Sequence, residues 1–169
     1  MPTTFTKIAS VSVGAGGAAT IDFTSIPSTY TDLQLVFTAR NTGSSNVFTQ
    51  MTFNANTSSY SYKGLYGNGS AASSFGASAA YIYVGDMDLS TYTANTFSSE
   101  SVYIPNYAGS TNKSVSIDSV NENNATAAAA YLTAALWSNT AAINRITLTP
   151  GGGSYAQYST AVLYGINKS

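Results

Sequence analysis

The sequence predicts an all-β protein, a jelly-roll-like antiparallel β-sandwich of about 8–11 strands. Apolar and polar residues alternate in short segments along almost the whole chain, which is typical of half-buried strands. Clusters of Gly, Asn, Ser and Pro separate these segments and predict turns. The sequence also has no repeat of fixed period, which argues against a propeller or a β-helix.

The 169 residues are predicted to form a single domain, residues 1–169, which is large enough to bury a core. No linker divides the chain. The stretch GNGSAASSFGASAA at 67–80 is low in complexity, but the segments on both sides of it have the same composition. We interpret it as a long exposed loop within the domain.

Alternation predicts ten or eleven strands. Leu33, Leu35 and Phe37 are expected to share one face of their segment, and Val47 and Met51 one face of theirs. The candidate segments are 5–13, 19–23, 33–39, 47–54, 60–66, 79–85, 96–104, 113–120, 127–137, 143–149 and 158–166.

The alanine-rich segment 127–137 is the ambiguous one, because alanine is the best helix former. A helix here would have no charged residue to form a solvated face, whereas an alternating strand needs none. We therefore predict a strand. Trp137 at its end is expected to be a core or interface anchor.

Two Ile-Pro segments, IPSTYTD at 26–32 and IPNYAGSTNK at 104–113, predict structural corners. Proline cannot donate to a sheet ladder, and the hydroxyl, amide and carboxylate side chains that follow can satisfy turn backbone. Tyr30 and Tyr107 are expected to cover the core edge while their hydroxyls reach backbone acceptors. Catalysis by Asp32 is disfavoured, since its motif contains no His, Lys or second carboxylate.

Composition excludes several classes of function. Charged residues are 8% of the chain, against a typical figure of about 25%, and net charge is −1. The six Lys and Arg are scattered, so nucleic acid is not expected as a partner, and low net charge favours self-association. The absence of Cys and His removes disulfides, thiol nucleophiles, conventional zinc sites and Ser-His-Asp triads.

Membrane insertion and export are not expected either. No apolar run approaches the roughly 18 residues of a membrane span. The N-terminal sequence MPTTFTKIAS lacks the charged start and apolar stretch of a signal peptide, so we expect synthesis in a cytoplasm without export.

The candidate recognition residues are Tyr60, Tyr62, Tyr66 and Asn68, with Tyr81 and Tyr83 following. The first three tyrosines would share a face of an extended strand, and aromatic faces beside Asn or Asp suit sugar rings. The alternative is that they cover a sheet face or a subunit contact, where Tyr is also favoured.

Carboxylates provide a weaker candidate. Asp86 and Asp88 alternate and could touch one metal ion or sugar, but glycosidases need carboxylates across a cleft and Ca²⁺ needs six or more oxygens. We expect both aspartates to lie in a solvated loop after strand 79–85. A glycan hydrolase using Asp86, Asp88 or Glu100 is the disfavoured alternative. We assign no catalytic, cofactor-binding or metal-binding residue and no cofactor.

The segments IPSTYTDLQL, IPNYAGSTNKS, LWSNTAAINRITLTP and LYGI resemble small jelly-roll virion proteins of tailed bacteriophages, over Phe5 to Ile166. The resemblance implies a viral structural protein, similar to capsid decoration (cement) proteins or to tail-fibre head domains. Both kinds are non-enzymatic and commonly homotrimeric. No functional residue carries over, because these segments are corners and strand ends.

We therefore expect a homotrimeric capsid decoration protein that binds other virion proteins such as the major capsid protein. Its location would be the virion, assembled in the host cytoplasm. The alternative is a tail-fibre or baseplate component that recognises host-surface glycan through the Tyr-rich segments at 55–92.

Overall fold

The computed structural model describes residues 4–45, 48–124 and 128–167, and these residues form an antiparallel β-sandwich without any helix. The predicted all-β antiparallel sandwich is thus confirmed, with twelve strands among the described residues where 8–11 were expected. The twelve strands are β1 (Phe5–Ser12), β2 (Ile21–Phe23), β3 (Asp32–Ala39), β4 (Phe48–Phe53), β5 (Tyr60–Gly67), β6 (Ala72–Ala79), β7 (Ile82–Asp86), β8 (Ser98–Ile104), β9 (Lys113–Val120), β10 (Ala130–Trp137), β11 (Ile146–Pro150) and β12 (Thr160–Ile166).

The strands form an eight-stranded sheet and a four-stranded sheet. The order of the larger sheet is β1-β12-β3-β8-β9-β10-β5-β6, and that of the smaller is β2-β11-β4-β7. Buried and exposed positions alternate strictly along β8 and β9, as expected for a sheet with one face on a core. Leu33, Leu35 and Phe37 share the buried face of β3, and Trp137 is fully buried on β10.

Each predicted strand segment contains a strand in the structure. The alanine-rich segment forms β10, so its strand prediction is confirmed for Ala130–Trp137. Residue 127 of that segment and Val47 lie outside the described residues, whereas Met51 is buried as expected.

The prediction of a long loop at 67–80 is wrong, because most of this stretch is strand β6. β6 pairs with β5 along its whole length, from Tyr60 opposite Ala79 to Gly67 opposite Ala72. It is an edge strand with exposed side chains at six of eight positions, so it needs no apolar alternation. Backbone pairing alone defines it, and composition does not reveal that.

The two Ile-Pro corners contact each other. The Tyr107 side chain is buried, and its hydroxyl donates a hydrogen bond to the Pro27 carbonyl and accepts one from the Tyr30 N–H at 3.4 Å. The Asp32 carboxylate accepts a hydrogen bond from the Asn106 N–H at 2.8 Å. These polar groups satisfy turn backbone, as the sequence predicts.

The larger sheet extends beyond the smaller one on the side of hairpin β5–β6. Strand β7 forms one edge of the smaller sheet and packs across β9, β10 and β5. The inward face of β6 and the neighbouring part of β5 lie beyond this edge. The overhang creates an open groove with the larger sheet as its floor and β7 as its wall.

Candidate functional site

An open groove of about 560 Å³ lies at this overhang and is the main aromatic feature of the described surface. Seven aromatic side chains and one carboxylate contribute to it. The lining residues are Phe48, Tyr62, Tyr66, Phe75, Gly76, Tyr81, Tyr83, Asp86 and Tyr131.

The floor of the groove is a platform of rings from three neighbouring strands. Tyr66 on β5 pairs directly with Tyr131 on β10, and their rings stack with centroids 5.7 Å apart and planes at 22°. Phe75 on β6 lies edge-on to Tyr131 at 6.2 Å and beside Tyr62 at the same distance. The platform therefore offers flat, half-buried ring faces to a ligand.

The wall of the groove comes from the smaller sheet. Tyr83 on β7 makes an edge-to-face contact with Phe75, with ring centroids 5.1 Å apart and planes at 66°. Phe48 on β4 packs on Tyr83 at 5.1 Å and on Tyr81 at 5.7 Å. Ring contacts across the floor and the wall hold both surfaces in place without a ligand.

Asp86 provides the polar group of the groove. The Tyr83 hydroxyl donates a hydrogen bond to Asp86 Oδ1 at 2.7 Å, and the Tyr131 hydroxyl donates one to Oδ2 at 2.6 Å. Burial raises the pKa of Tyr83 and of Tyr131, and the Asp86 charge raises both further. Both phenols therefore stay protonated at neutral pH and fix the carboxylate, whose oxygens have further acceptor capacity.

This arrangement suits a ligand with an apolar face and hydroxyl groups at its edge. Ring faces can pack on the C–H face of a sugar, and Asp86 can accept a hydrogen bond from a sugar hydroxyl. Among the residues that the structure describes, Asp86 is the one carboxylate lining the groove. The groove thus lacks the pair of carboxylates that a typical glycosidase uses.

The structure brings together two of the four predicted recognition residues. Tyr62 and Tyr66 lie in the groove, whereas Tyr60 is 2% exposed and stacks on Trp137 in the core at 6.1 Å. The Tyr60 hydroxyl accepts a hydrogen bond from the Phe53 N–H at 2.8 Å, and burial raises the pKa of Tyr60 to about 12. Tyr60 is therefore a core residue.

Asn68 has a structural role in the turn between β5 and β6. Its side-chain carbonyl accepts hydrogen bonds from the N–H groups of Ser70 at 3.1 Å and Ala71 at 2.9 Å. Asn side chains commonly accept hydrogen bonds from turn backbone in this way. It is not among the residues that line the aromatic groove.

Sequence reasoning missed Phe48, Phe75 and Tyr131 as parts of this site. Phe75 is the one aromatic residue in the Ser- and Ala-rich stretch 67–80, and Tyr131 is the one aromatic residue in 127–136. An isolated large ring in a segment of small residues was the available signal. Their convergence depends on strand pairing across the sheet, which the sequence does not reveal.

The expectation that Asp86 and Asp88 lie in a solvated loop is wrong for both residues, because Asp86 is the half-buried last residue of β7 and Asp88 is buried. The Asp88 side chain is 0% exposed, and its Oδ1 accepts a hydrogen bond from Asn123 Nδ2 at 3.0 Å. Glu100 is 1% exposed; burial raises the pKa of Glu100 well above its usual range, and the Asp88 charge raises it further. Neither carboxyl group can contact a polysaccharide substrate.

The fold and the groove define the chain as an all-β sandwich with an exposed aromatic groove. Comparison of the sequence with models of known protein families gave no match, and comparison with curated proteins gave none either. Within the described ranges, no helix is long and apolar enough to cross a bilayer. Nor do three or more acidic side chains of these residues meet in a metal-binding arrangement.

Proposed function

We propose that the chain is a non-enzymatic component of a tailed-bacteriophage virion that recognises host-surface glycan through the aromatic groove, as part of a tail fibre or baseplate. The observation that supports glycan recognition is the stacked pair Tyr66–Tyr131 beside Asp86, whose carboxylate accepts hydrogen bonds from two tyrosine hydroxyls. The phage setting rests on the resemblance of the corner and strand-end segments to small virion proteins.

The chemistry of the groove favours a neutral sugar over a charged polymer. Among the described lining residues there is no Lys or Arg, so the groove cannot neutralise phosphates. The polar groups that face it are phenol hydroxyls and one carboxylate. These groups match the hydroxyl edge of a pyranose, and the Tyr66–Tyr131 platform matches its C–H face.

The strand order supports the jelly-roll part of the proposal. The order β1-β12-β3-β8 in one sheet and β2-β11-β4-β7 in the other is the interleaving expected of two Greek keys. Hairpins β5–β6 and β9–β10 are then additions to an eight-stranded jelly roll. Folds of this type occur in viral capsid and lectin domains.

A glycan array probed with the full chain, followed by calorimetry on the sugar that binds, tests the proposal. We expect Tyr66→Ala to weaken binding by about tenfold or more, because it removes half of the stacked pair. Tyr164→Ala is the matched control, since Tyr164 is likewise half-buried on the larger sheet and contacts the ring of Phe5 on the other face of that sheet.

Three results would contradict glycan recognition. The first is no binding to any glycan, and the second is binding that Tyr66→Ala leaves intact. The third is tight binding of choline in place of sugar, because rings beside a carboxylate also suit a quaternary ammonium ion.

The second candidate function is a homotrimeric decoration protein bound to the major capsid protein. The observation that favours it is the low content of charged residues, since the whole chain contains six basic and seven acidic residues. Contacts between uncharged surfaces are little weakened by salt. Capsids assembled with and without the protein should then differ in melting temperature, with hundreds of copies per particle; equal melting temperatures would contradict this function.

A further inference from the structure

The outward surface of β9, β10 and β5, here called the outer face, is apolar at its centre. Leu65 and Leu132 are directly paired neighbours on it and are 60% and 57% exposed. Val120 on β9 pairs with Ala130, two residues from Leu132, and is 38% exposed. Contiguous exposed apolar side chains of this kind mark interaction surfaces on soluble proteins.

Two opposite charges flank this apolar centre. Among the outward side chains of β9, β10 and β5, the charged ones are Lys63 on β5 and Asp118 on β9. Lys63 pairs with Ala134 and Asp118 with Leu132, so the two charges lie on opposite sides of β10. They are two strand spacings apart across β10 and one pleat apart along it, or about 12 Å in all. The one ion pair of the described residues is Arg145–Asp22, so Lys63 and Asp118 do not pair within the chain.

We propose that the outer face binds the outer face of a second copy of this chain, with the two-fold axis running along β10. Such an axis exchanges the two sides of β10. Lys63 of one copy then lies above β9 of the other, one pleat from Asp118 of the partner subunit, and the reciprocal pair forms on the other side. A pleat of about 7 Å is within the reach of a lysine side chain.

The same symmetry gives complementary shapes. Leu132 packs on Leu132 of the partner subunit, because β10 lies on the axis. Val120 lies opposite Gly67 of the partner subunit, since both flank Ala130 in the sheet register. The protruding Val120 side chain thus packs on a glycine, which has no side chain.

The axis sets how much of the sheet the two copies share. Only β5 and β6 lie beyond β10 on one side, so five strands of each copy overlap, from β8 to β6. With strands about 4.8 Å apart and about eight residues long, the overlap spans roughly 650 Å² per copy. This is somewhat below the figure of about 800 Å² per partner for a standard interface and fits a reversible monomer–dimer equilibrium. Sheets packed face to face keep their strand directions within about 30° of each other, which is compatible with an axis along β10.

Pairing through the outer face is independent of the glycan proposal. Side chains alternate along β5, so Lys63 and Leu65 point away from the groove that Tyr62 and Tyr66 line. Both grooves therefore stay open in the pair. Loss of pairing and loss of sugar binding can be measured separately on the same sample.

Charge reversal tests the pairing by sedimentation equilibrium over a range of concentrations at low salt. We expect the wild type to be a monomer–dimer system. Lys63→Asp or Asp118→Lys alone should raise the dissociation constant about tenfold, because each reversal places like charges together. The double variant should restore the wild-type value.

Lys7→Asp is the matched control, because Lys7 is exposed on the distant strand β1 of the same sheet. Leu132→Asp provides a second disruption, and its thermal melt shows whether the chain is folded. A wild-type monomer at every concentration would overturn the proposal. So would a trimer, a double variant that fails to restore pairing, or a face that binds only a different protein.

Discussion

The ring of Phe75 lies directly over Gly64 on the paired strand. Gly64 and Phe75 are register partners in the β5–β6 hairpin, and a Cβ at position 64 would collide with the ring carbons of Phe75. The absence of a side chain at position 64 therefore allows the floor of the groove to be flat. The same ring then reaches Tyr83 across the groove.

Gly64→Ala is expected to displace the Phe75 ring and to destabilise the protein by about 1–3 kcal/mol, the usual cost of overpacking. Chemical denaturation measures this, and near-ultraviolet circular dichroism reports the tyrosine environment. Gly14→Ala is the control, because a Cβ there meets nothing within 4 Å. In a Phe75→Ala background, Gly64→Ala should cost almost nothing; an unchanged cost would show that the ring is not the obstacle.

Asp86→Asn is expected to lower the free energy of unfolding by about 1.5–3 kcal/mol, because two tyrosine hydroxyls lose a charged acceptor. The loss should shrink in a Tyr131→Phe background, where one of the two bonds is already absent. A double-mutant cycle by urea denaturation measures this coupling. Strictly additive losses would mean that the Tyr131–Asp86 bond is not formed in solution.

Glu100 makes stability fall as pH rises. Burial raises the pKa of Glu100 above its ordinary value of 4.5, so the folded state holds a proton that the unfolded state releases. The free energy of unfolding should therefore decrease from about pH 4.5 upward to the folded-state pKa, by at most roughly 1.4 kcal/mol per pH unit. Glu100→Gln should flatten this slope, whereas the exposed Glu122→Gln should keep it. Equal slopes in all three proteins would contradict the assignment.

Asp22 acts in the opposite direction and in a lower pH window. Burial raises its pKa, but hydrogen bonds from Thr147, Arg145 and Thr20, with the Arg145 charge, outweigh this and leave the pKa below 3.8. This stabilisation is present above pH 3.8 and is lost as pH falls through the folded-state pKa. Asp22→Asn should therefore reduce acid sensitivity below about pH 4 and leave the Glu100 slope unchanged, as measured by thermal melts.

Tyr107→Phe is expected to cost about 0.5–1.5 kcal/mol of stability, since it removes the phenol donor of the Pro27 carbonyl at a half-buried corner. Tyr103→Phe is the matched control, because the Tyr103 hydroxyl donates to Asp32 at an exposed position. Thermal melts of both variants measure the difference. A larger loss for Tyr103→Phe would indicate that the corner contact contributes little.

The strands that bury one face were predictable from sequence, because burial imposes a period-two pattern on them. β3 and β9 show this pattern clearly. β6 was not predictable, since an edge strand of Ser, Ala and Gly has no buried face to impose a pattern. Its one large residue, Phe75, is the residue that the site requires.

The candidate site was predictable only in its local part. Tyr62 and Tyr66 alternate on one strand, so their shared face follows from sequence alone. Tyr131 and Asp86 join them through the pairing of β10 with β5 and through the stacking of β7 across both. The prediction that Asp86 and Asp88 share one face was wrong because β7 ends at Asp86. The chain turns beyond that residue, and the Asp88 side chain lies in the interior.

The overhanging hairpin has a consequence for sequence variation around the groove. Most residues of β6 contribute nothing to the packed interior, so substitutions there cost little folding stability. The exposed positions of β6 that flank Phe75 can therefore vary while the ring platform and the sandwich stay constant. Under the glycan proposal, a change in the glycan that is bound would need only a few substitutions on strand β6.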